Sequence, residues 1–378
     1  MRSPICAMLG IDFPLLAFSH CRDVVAAVSR AGGFGVLGAT AHTLESLEAE
    51  LAWIDAHVDG KPYGLDVLIP ENLVTGGAKG LTRASIAAQV PEAHRAFVRD
   101  LAGRHHLTLP EERADSTAPA PFDPNVALEM LEIAFRHPIR LIANALGVPP
   151  RAMIEMGRAH NVPVAALVGA KEHALRQVAA GVDIIVAQGG EAGGHCGEVS
   201  TMVLIPEVVR ALDRAGHGDV PVLAAGGIMT GGQMAAAMAM GAAGAWTGSV
   251  WLATPESECS DVFRDKMVAA SSRDTVRSKG RTGKPSRQLR SAWTDAWEAP
   301  DSPGAPPMPF QSIISEPAIR AADLAAEKGD AAARELVTYF VGQGVGLVEQ
   351  VRGAGQVVQD FKLDFAEALE RMEALVAD

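Results

Sequence analysis

Short runs rich in Val, Ile and Leu alternate with amphipathic stretches through the first two-thirds of the chain. Eight such runs stand at 14–17, 34–39, 63–69, 139–145, 162–168, 182–188, 220–225 and 243–248. Most lack strict polar alternation, as strands buried on both faces do. Stretches with helical periodicity lie between them at 23–31, 43–57, 125–135, 150–160, 171–180, 201–214 and 231–240. In the first of these, Val24, Val25, Val28 and Ala31 make one apolar stripe. Eight strand–helix repeats predict an α/β fold closed into a (β/α)8 TIM barrel. An open doubly wound sheet has no need of eight strands.

Two regions break the repeat. Residues 70–124 separate the third strand from its helix and read as an insert or lid. They hold GGAKG, a helix expected over 84–102, and a polar, Pro-rich end. The chain beyond 255 is also extra. A helix is expected over 261–270, then a basic stretch over 278–290, then the extended APDSPGAPPMPF. Phe361, Phe365, Leu369 and Met372 form a helical stripe expected to face a core. The expected organisation is a barrel from 1–69 and 125–255, the insert 70–124, a smaller, mainly helical part over 256–320 that covers the substrate, and C-terminal helices over 321–378 packing on the barrel.

Charge and cysteine usage narrow the function class. The formal net charge of −12 argues against a nucleic-acid partner, which needs a basic face. Aromatic residues are only 5% of the chain, too few for a base-stacking surface. Cys6, Cys21, Cys196 and Cys259 form no C-x-x-C pair, so neither a zinc ribbon nor a dithiol redox centre is expected. No apolar run approaches the roughly 20 residues that span a bilayer. The N-terminus shows no basic region followed by an apolar stretch. These features predict a cytoplasmic protein with neither a metal nor a membrane partner, and leave a homo-oligomer open.

The chemistry concentrates after the last three strands. AQGGEAGGHCG, 187–197, begins where the sixth strand ends, at the face where barrel active sites lie. Gly189, Gly190, Gly193 and Gly194 permit close backbone approach to a planar ligand. His195 then stands in a loop, suited to proton transfer near neutral pH. The seventh strand ends in Gly226-Gly227, and Thr230 can cap the next helix, whose free N–H groups suit an anion. The eighth ends in Gly248-Ser249. Small residues at both positions point to a phosphate-bearing ligand.

The ordered set QGGEAGGH, AAGGI and TGS resembles the nitronate monooxygenase family. GQGVGLV (342–348) and RTGKPSR (281–287) are similar to two further segments of that family. The resemblance covers nearly all of the chain outside 70–124. It implies a barrel carrying FMN, with a smaller helical domain over the flavin. It implies that Gly226, Gly227, Gly248 and Ser249 cradle the FMN phosphate, and that Gln188, Gly189, Gly193 and Gly194 border the flavin. His195 matches the family histidine that takes a proton from carbon or polarises the substrate. Ala17-Phe18-Ser19 stand where the family usually has Ala-Pro-Met against the flavin, and Asp66 stands where it usually has Asn. An ionised Asp there accepts hydrogen bonds without donating them and repels an anionic flavin or substrate.

The implied function is FMN-dependent oxidation of a nitronate or nitroalkane, with O2 as electron acceptor. The alternative is an NAD(P)H-linked reductase or dehydrogenase acting on an enoyl or acyl thioester or a quinone, since the family includes such reductases. Arg273, Arg277, Lys279, Arg281, Lys284, Arg287 and Arg290 would then dock the phosphates of NAD(P)H or a coenzyme A thioester; a solvated loop explains them equally well. Lys171 is expected at a helix start on the surface, His105 and His106 in solvent, and Cys196 away from the site.

Overall fold

The computed structural model describes residues 1–69, 83–110 and 124–377. Its core is a closed barrel of eight parallel strands in sequential order. The strands are β1 (Leu15–Ser19), β2 (Phe34–Gly38), β3 (Tyr63–Val67), β4 (Ile142–Asn144), β5 (Val164–Val168), β6 (Ile184–Gln188), β7 (Val222–Ala225) and β8 (Gly244–Thr247). Closure is set by β1 on β8, with Leu15 opposite Ala245 and Ala17 opposite Thr247.

Sixteen helices of α type accompany them among the described residues. They begin with α1 (Pro4–Leu9), α2 (Arg22–Arg30), α3 (Leu44–His57), α4 (Arg83–Ala87), α5 (Glu92–Arg104) and α6 (Pro124–Ala134). Next come α7 (Arg151–His160), α8 (Lys171–Ala180), α9 (Thr201–Arg214), α10 (Gly231–Ala239) and α11 (Ser249–Leu252). The last are α12 (Asp261–Ala269), α13 (Ala292–Glu298), α14 (Phe310–Glu327), α15 (Ala331–Leu336) and α16 (Ala354–Val376).

Strand parity decides the two sides of the barrel wall. Leu16, Phe34, Val36, Leu141, Ala143, Ile184, Val186 and Leu223 fill the interior, and Ile5 and Leu9 of α1 pack with them. The neighbouring positions Leu15, Ala17, Leu65, Val67 and Ile185 face the surrounding helices. The plug α1 had no counterpart in the sequence reading, because six residues are too few to show a period.

A second apolar cluster joins α5 to the segments beyond the barrel, through Val98, Leu101, Phe263, Trp293, Trp297, Ile319 and Val341. The basic stretch contains an antiparallel hairpin, β9 (Thr275–Ser278) on β10 (Ser286–Leu289), which charge concealed. The helix expected over 84–102 is two helices, because Pro91 lacks an N–H and sits at the start of α5 with extended backbone. Stretches 70–82 and 111–123 of the insert lie outside the described residues.

The long α16 crosses α10 and α2. Its stripe is only half buried: Phe361 and Phe365 are covered, while Leu369 and Met372 are 52% and 61% exposed. The helix outruns the surface it packs on. Phe365 meets Phe13 edge to face at 5.6 Å. No helix among the described residues is long and apolar enough to cross a membrane.

Candidate active site

A cavity of about 380 Å³ opens at the C-terminal ends of the barrel strands. That volume lies in the range of small-molecule sites. Phe18 of β1 and Trp246 of β8 both line it and stack with centroids 6.4 Å apart.

The loop after β6 is shaped by its glycines. Gly189 packs against the start of α9, where an added Cβ would lie 2.2 Å from Thr201 Oγ1. Glu191 reaches back and accepts from the Thr201 amide and hydroxyl at 2.8 and 2.9 Å. Gly193 passes so close to the 341–342 backbone that a Cβ would meet Val341 C at 2.8 Å. Gly194, at φ +73°, exchanges two backbone hydrogen bonds with Arg287, of 3.0 and 2.8 Å. The Arg287 side chain donates to Gly190 O at 3.1 and 2.7 Å. These ties fix the backbone on either side of the turn.

His195 follows, with its side chain open to the cavity. Its Nε2 lies 2.8 Å from Thr282 Oγ1. That hydroxyl also donates to Lys284 O at 3.2 Å and accepts from the Lys284 amide at 3.3 Å. When Thr282 gives its proton to Lys284 O, it accepts from Nε2–H, and that tautomer leaves Nδ1 as the basic nitrogen. Partial desolvation by the surrounding protein lowers the imidazole pKa below the ordinary histidine range, and the Lys284 ammonium lowers it further. Both effects favour the neutral imidazole.

The loops after β7 and β8 provide a backbone cradle. Gly226 and Gly227 take φ of +104° and +73°, conformations that L side chains rarely adopt. A Cβ on Gly226 would lie 2.8 Å from Thr201 Oγ1. Gly248 faces open space. Ser249 accepts from the Gly342 amide at 2.8 Å and keeps its hydroxyl proton to donate. The sequence reading also offered the helix after β7 to an anion, and here the structure differs. The Gly232 amide at the start of α10 donates to Asp364 of α16 at 2.8 Å, and the Gln233 amide to Thr230. The protein's own carboxylate already occupies that end.

Phe18, Ser19, Asp66, Gln188, Gly193, Gly194, His195, Gly226, Gly227, Gly248 and Ser249 are all brought to the cavity. Ala17 and Gly189 are not. Parity turns Ala17 outward into the helix-facing core, and Gly189 serves the packing against α9. Asp66 is 3% exposed, and burial pushes its carboxyl up to about 8. Burial thus opposes the ionised form from which repulsion is expected.

The basic cluster does not act as one patch. Arg281 is buried, pairs with both oxygens of Glu316 at 2.8 and 2.9 Å, and lies over the Tyr339 and Phe340 rings. Arg287 ties down the β6 loop. Arg290 pairs with Asp295, and Arg277 lies 3.6 Å from Glu198. Only Lys284 of the seven lines the cavity. Lys171 pairs with Glu207 at 2.8 Å, as a surface helix start does. His105 is half-buried rather than solvated, bonded to Ala332 O at 3.0 Å, while His106 is exposed. Cys196 does not line the cavity, and the described part of the insert contributes no residue to it. Sequence reasoning missed His20, Trp246, Thr282 and Phe340. Parity from Gly244 could have found Trp246; Thr282 carries no local signal.

The family model described as nitronate monooxygenase matches residues 8–364. A Mycobacterium tuberculosis protein named "Putative monooxygenase Rv1533" is 51% identical over 100% of both chains. Among solved structures, a nitroalkane oxidase from Streptomyces ansochromogenes superposes with a TM-score of 0.79, at 26% identity, over 97% of this chain and 99% of its own. A point variant of FabK from Thermotoga maritima superposes with a TM-score of 0.69, at 25% identity, over 100% of both. Eight strands, a glycine-walled cavity and these matches together place the chain in the nitronate monooxygenase family, as an oxidoreductase.

Proposed function

We propose that the chain binds FMN in this cavity and oxidises nitronates and nitroalkanes with O2 as electron acceptor. One observation carries the reading: a histidine whose Nε2 is bonded to Thr282 opens onto a cavity lined by glycine backbone. The likeness to a nitroalkane oxidase over nearly the whole chain supports it. The residues present fit a flavin mononucleotide. The cradle at Gly226, Gly227, Gly248 and Ser249 suits a phosphate, and Phe18, Trp246 and the backbone at Gly193–Gly194 suit a flat ring. When bound, FMN supplies the ring that accepts electrons.

The chain's own residues do the rest. His195 Nδ1 takes the α-proton of a neutral nitroalkane, and Thr282 holds the imidazole against the Nε2 side as charge develops. Lys284, at the cavity rim, places a positive charge where nitro oxygens become negative. The glycines after β6 and β7 let those loops pack closely on Thr201, Glu191 and the 341–342 backbone, which shapes the cavity wall.

The test is parallel stopped-flow mixing of the purified yellow protein with propyl nitronate, a neutral nitroalkane, NADH and NADPH, together with oxygen consumption. Oxygen uptake with both nitro compounds is expected. Rapid bleaching by NADH or NADPH without reaction of either nitro compound would overturn the substrate assignment in favour of a pyridine-nucleotide-linked reductase.

A further inference from the structure

One buried polar group at the cavity has no partner among the described residues. Tyr63, Leu65 and Val67 of β3 face the helices, so alternation turns Gly64 and Asp66 to the barrel interior. The register neighbours of Asp66 are Gly38 on β2 and Ala143 on β4, and neither brings a polar side chain. Asp66 lines the cavity, and among the described residues its Oδ1 has no hydrogen-bond partner. Asn144, at the end of β4, is already committed: its amide nitrogen donates to Ile69 O, Leu146 O and Gly147 O, and its oxygen accepts from the Ile69 amide.

Neither flanking strand carries a titratable side chain. The titratable groups lining the same cavity among the described residues are His20, His195, Glu258, Lys284, Glu316 and Tyr339. His20 bonds Gly38 O at 3.0 Å, His195 bonds Thr282, Glu316 bonds Arg281, and the Tyr339 hydroxyl lies 3.5 Å from Glu258. None of these bonds reaches Asp66, and Lys284 stands at the exposed rim. An ionised carboxylate here would lose its water without gaining a donor. A protonated carboxyl needs only one acceptor.

We propose that Asp66 is a hydrogen-bond donor of this cavity, its carboxyl keeping a proton and presenting it to an acceptor on the flavin ring, a carbonyl oxygen or an imine nitrogen. The proposal deepens the FMN reading above and rests on it. Burial alone raises the group, in agreement with the geometry. The sign follows from linkage: flavin favours the protonated form, so binding is full below the free-protein pKa of about 8 and weakens as pH rises above it.

The experiment measures the FMN Kd by equilibrium dialysis for wild type, Asp66→Asn and Asp66→Leu from about pH 6 to about pH 10. Asn keeps a donor at every pH, so other titrating groups cancel in the ratio. Wild-type Kd should rise about tenfold per pH unit above about 8 relative to Asp66→Asn, the slope of one coupled proton. Asp66→Leu should bind FMN about tenfold more weakly near neutrality, the worth of one buried donor. Infrared spectra of wild-type protein alone guard against misfolded variants. The stretch of a protonated carboxyl should be present near pH 7, shift when FMN is added, and vanish at high pH. Equal pH profiles for wild type and Asp66→Asn, or no such stretch near pH 7, overturn the proposal and leave the FMN reading standing. Failure of FMN to bind any of the three proteins overturns both.

Discussion

In the proposed reaction, His195 is the side chain that takes the proton. His195→Gln can set its amide nitrogen near the Nε2 position, keeping a donor for Thr282, but has no basic nitrogen. We expect FMN content to be unchanged and kcat/KM on a neutral nitroalkane to fall about 10²–10⁴-fold, the usual worth of a general base. A preformed nitronate, already deprotonated, should suffer less. Equal losses on both substrates would show that His195 does not act as the base. The pH profile adds a second check. Because enclosure and Lys284 both lower the imidazole pKa, the ascending limb should lie below histidine's usual value of about 6.5. Lys284→Ala removes a charge that opposes the imidazolium, so the limb should move to higher pH. A limb that stays in place would separate Lys284 from His195. His195 itself was legible in the sequence, because a histidine just past a strand and two glycines has one face to look onto. Its partner Thr282 was not, since a hydrogen bond across 87 residues leaves no local pattern.

At the scale of elements, glycine marks where backbones touch. Gly231 begins α10 directly beneath α16, and a Cβ there would lie 1.9 Å from Phe361 O. No rotamer relieves a clash with backbone. Gly231→Ala should push the two helices apart and lower stability by about 1–3 kcal/mol, as overpacking does. Urea denaturation measures it; an unchanged midpoint would mean that α16 is not seated as described. The same contact explains why the anion site expected at α10 is closed: Asp364 arrives on α16 with its carboxylate at the Gly232 amide. Gly342 and Gly344 play a related part in GQGVGLV. Their missing Cβ atoms would strike Glu191 O at 2.6 Å and Met229 Cγ at 2.3 Å. The segment thus wedges between the loops after β6 and β7, a role that no reading of the motif alone supplies.

The whole molecule couples ligand to stability through the same cavity. FMN at 100 times its Kd should stabilise the folded chain by about 2.7 kcal/mol. With an unfolding entropy of about 0.8 kcal/mol/K for 378 residues, Tm should rise by about 3 °C. Riboflavin, which lacks the phosphate, should give a smaller rise if the Gly226–Gly227 and Gly248–Ser249 loops hold that group. Equal shifts would remove the phosphate from the cradle. The sequence by itself determined the barrel, because strands buried on both faces must read as uninterrupted Val, Ile and Leu, and eight such runs alternating with helical stretches suit a closed sheet. It also marked loops that line the cavity, since glycine is required wherever backbone must crowd another loop. Only the tertiary structure decided the fate of the charges. Arg281, Arg287 and Asp364 look alike in a sequence whether they face solvent or a buried partner, and folding gave each a partner inside the protein. It decided the surroundings of Asp66 as well, because burial and the lack of a polar side chain beside it are set by Gly38 and Ala143 on strands far away in the chain.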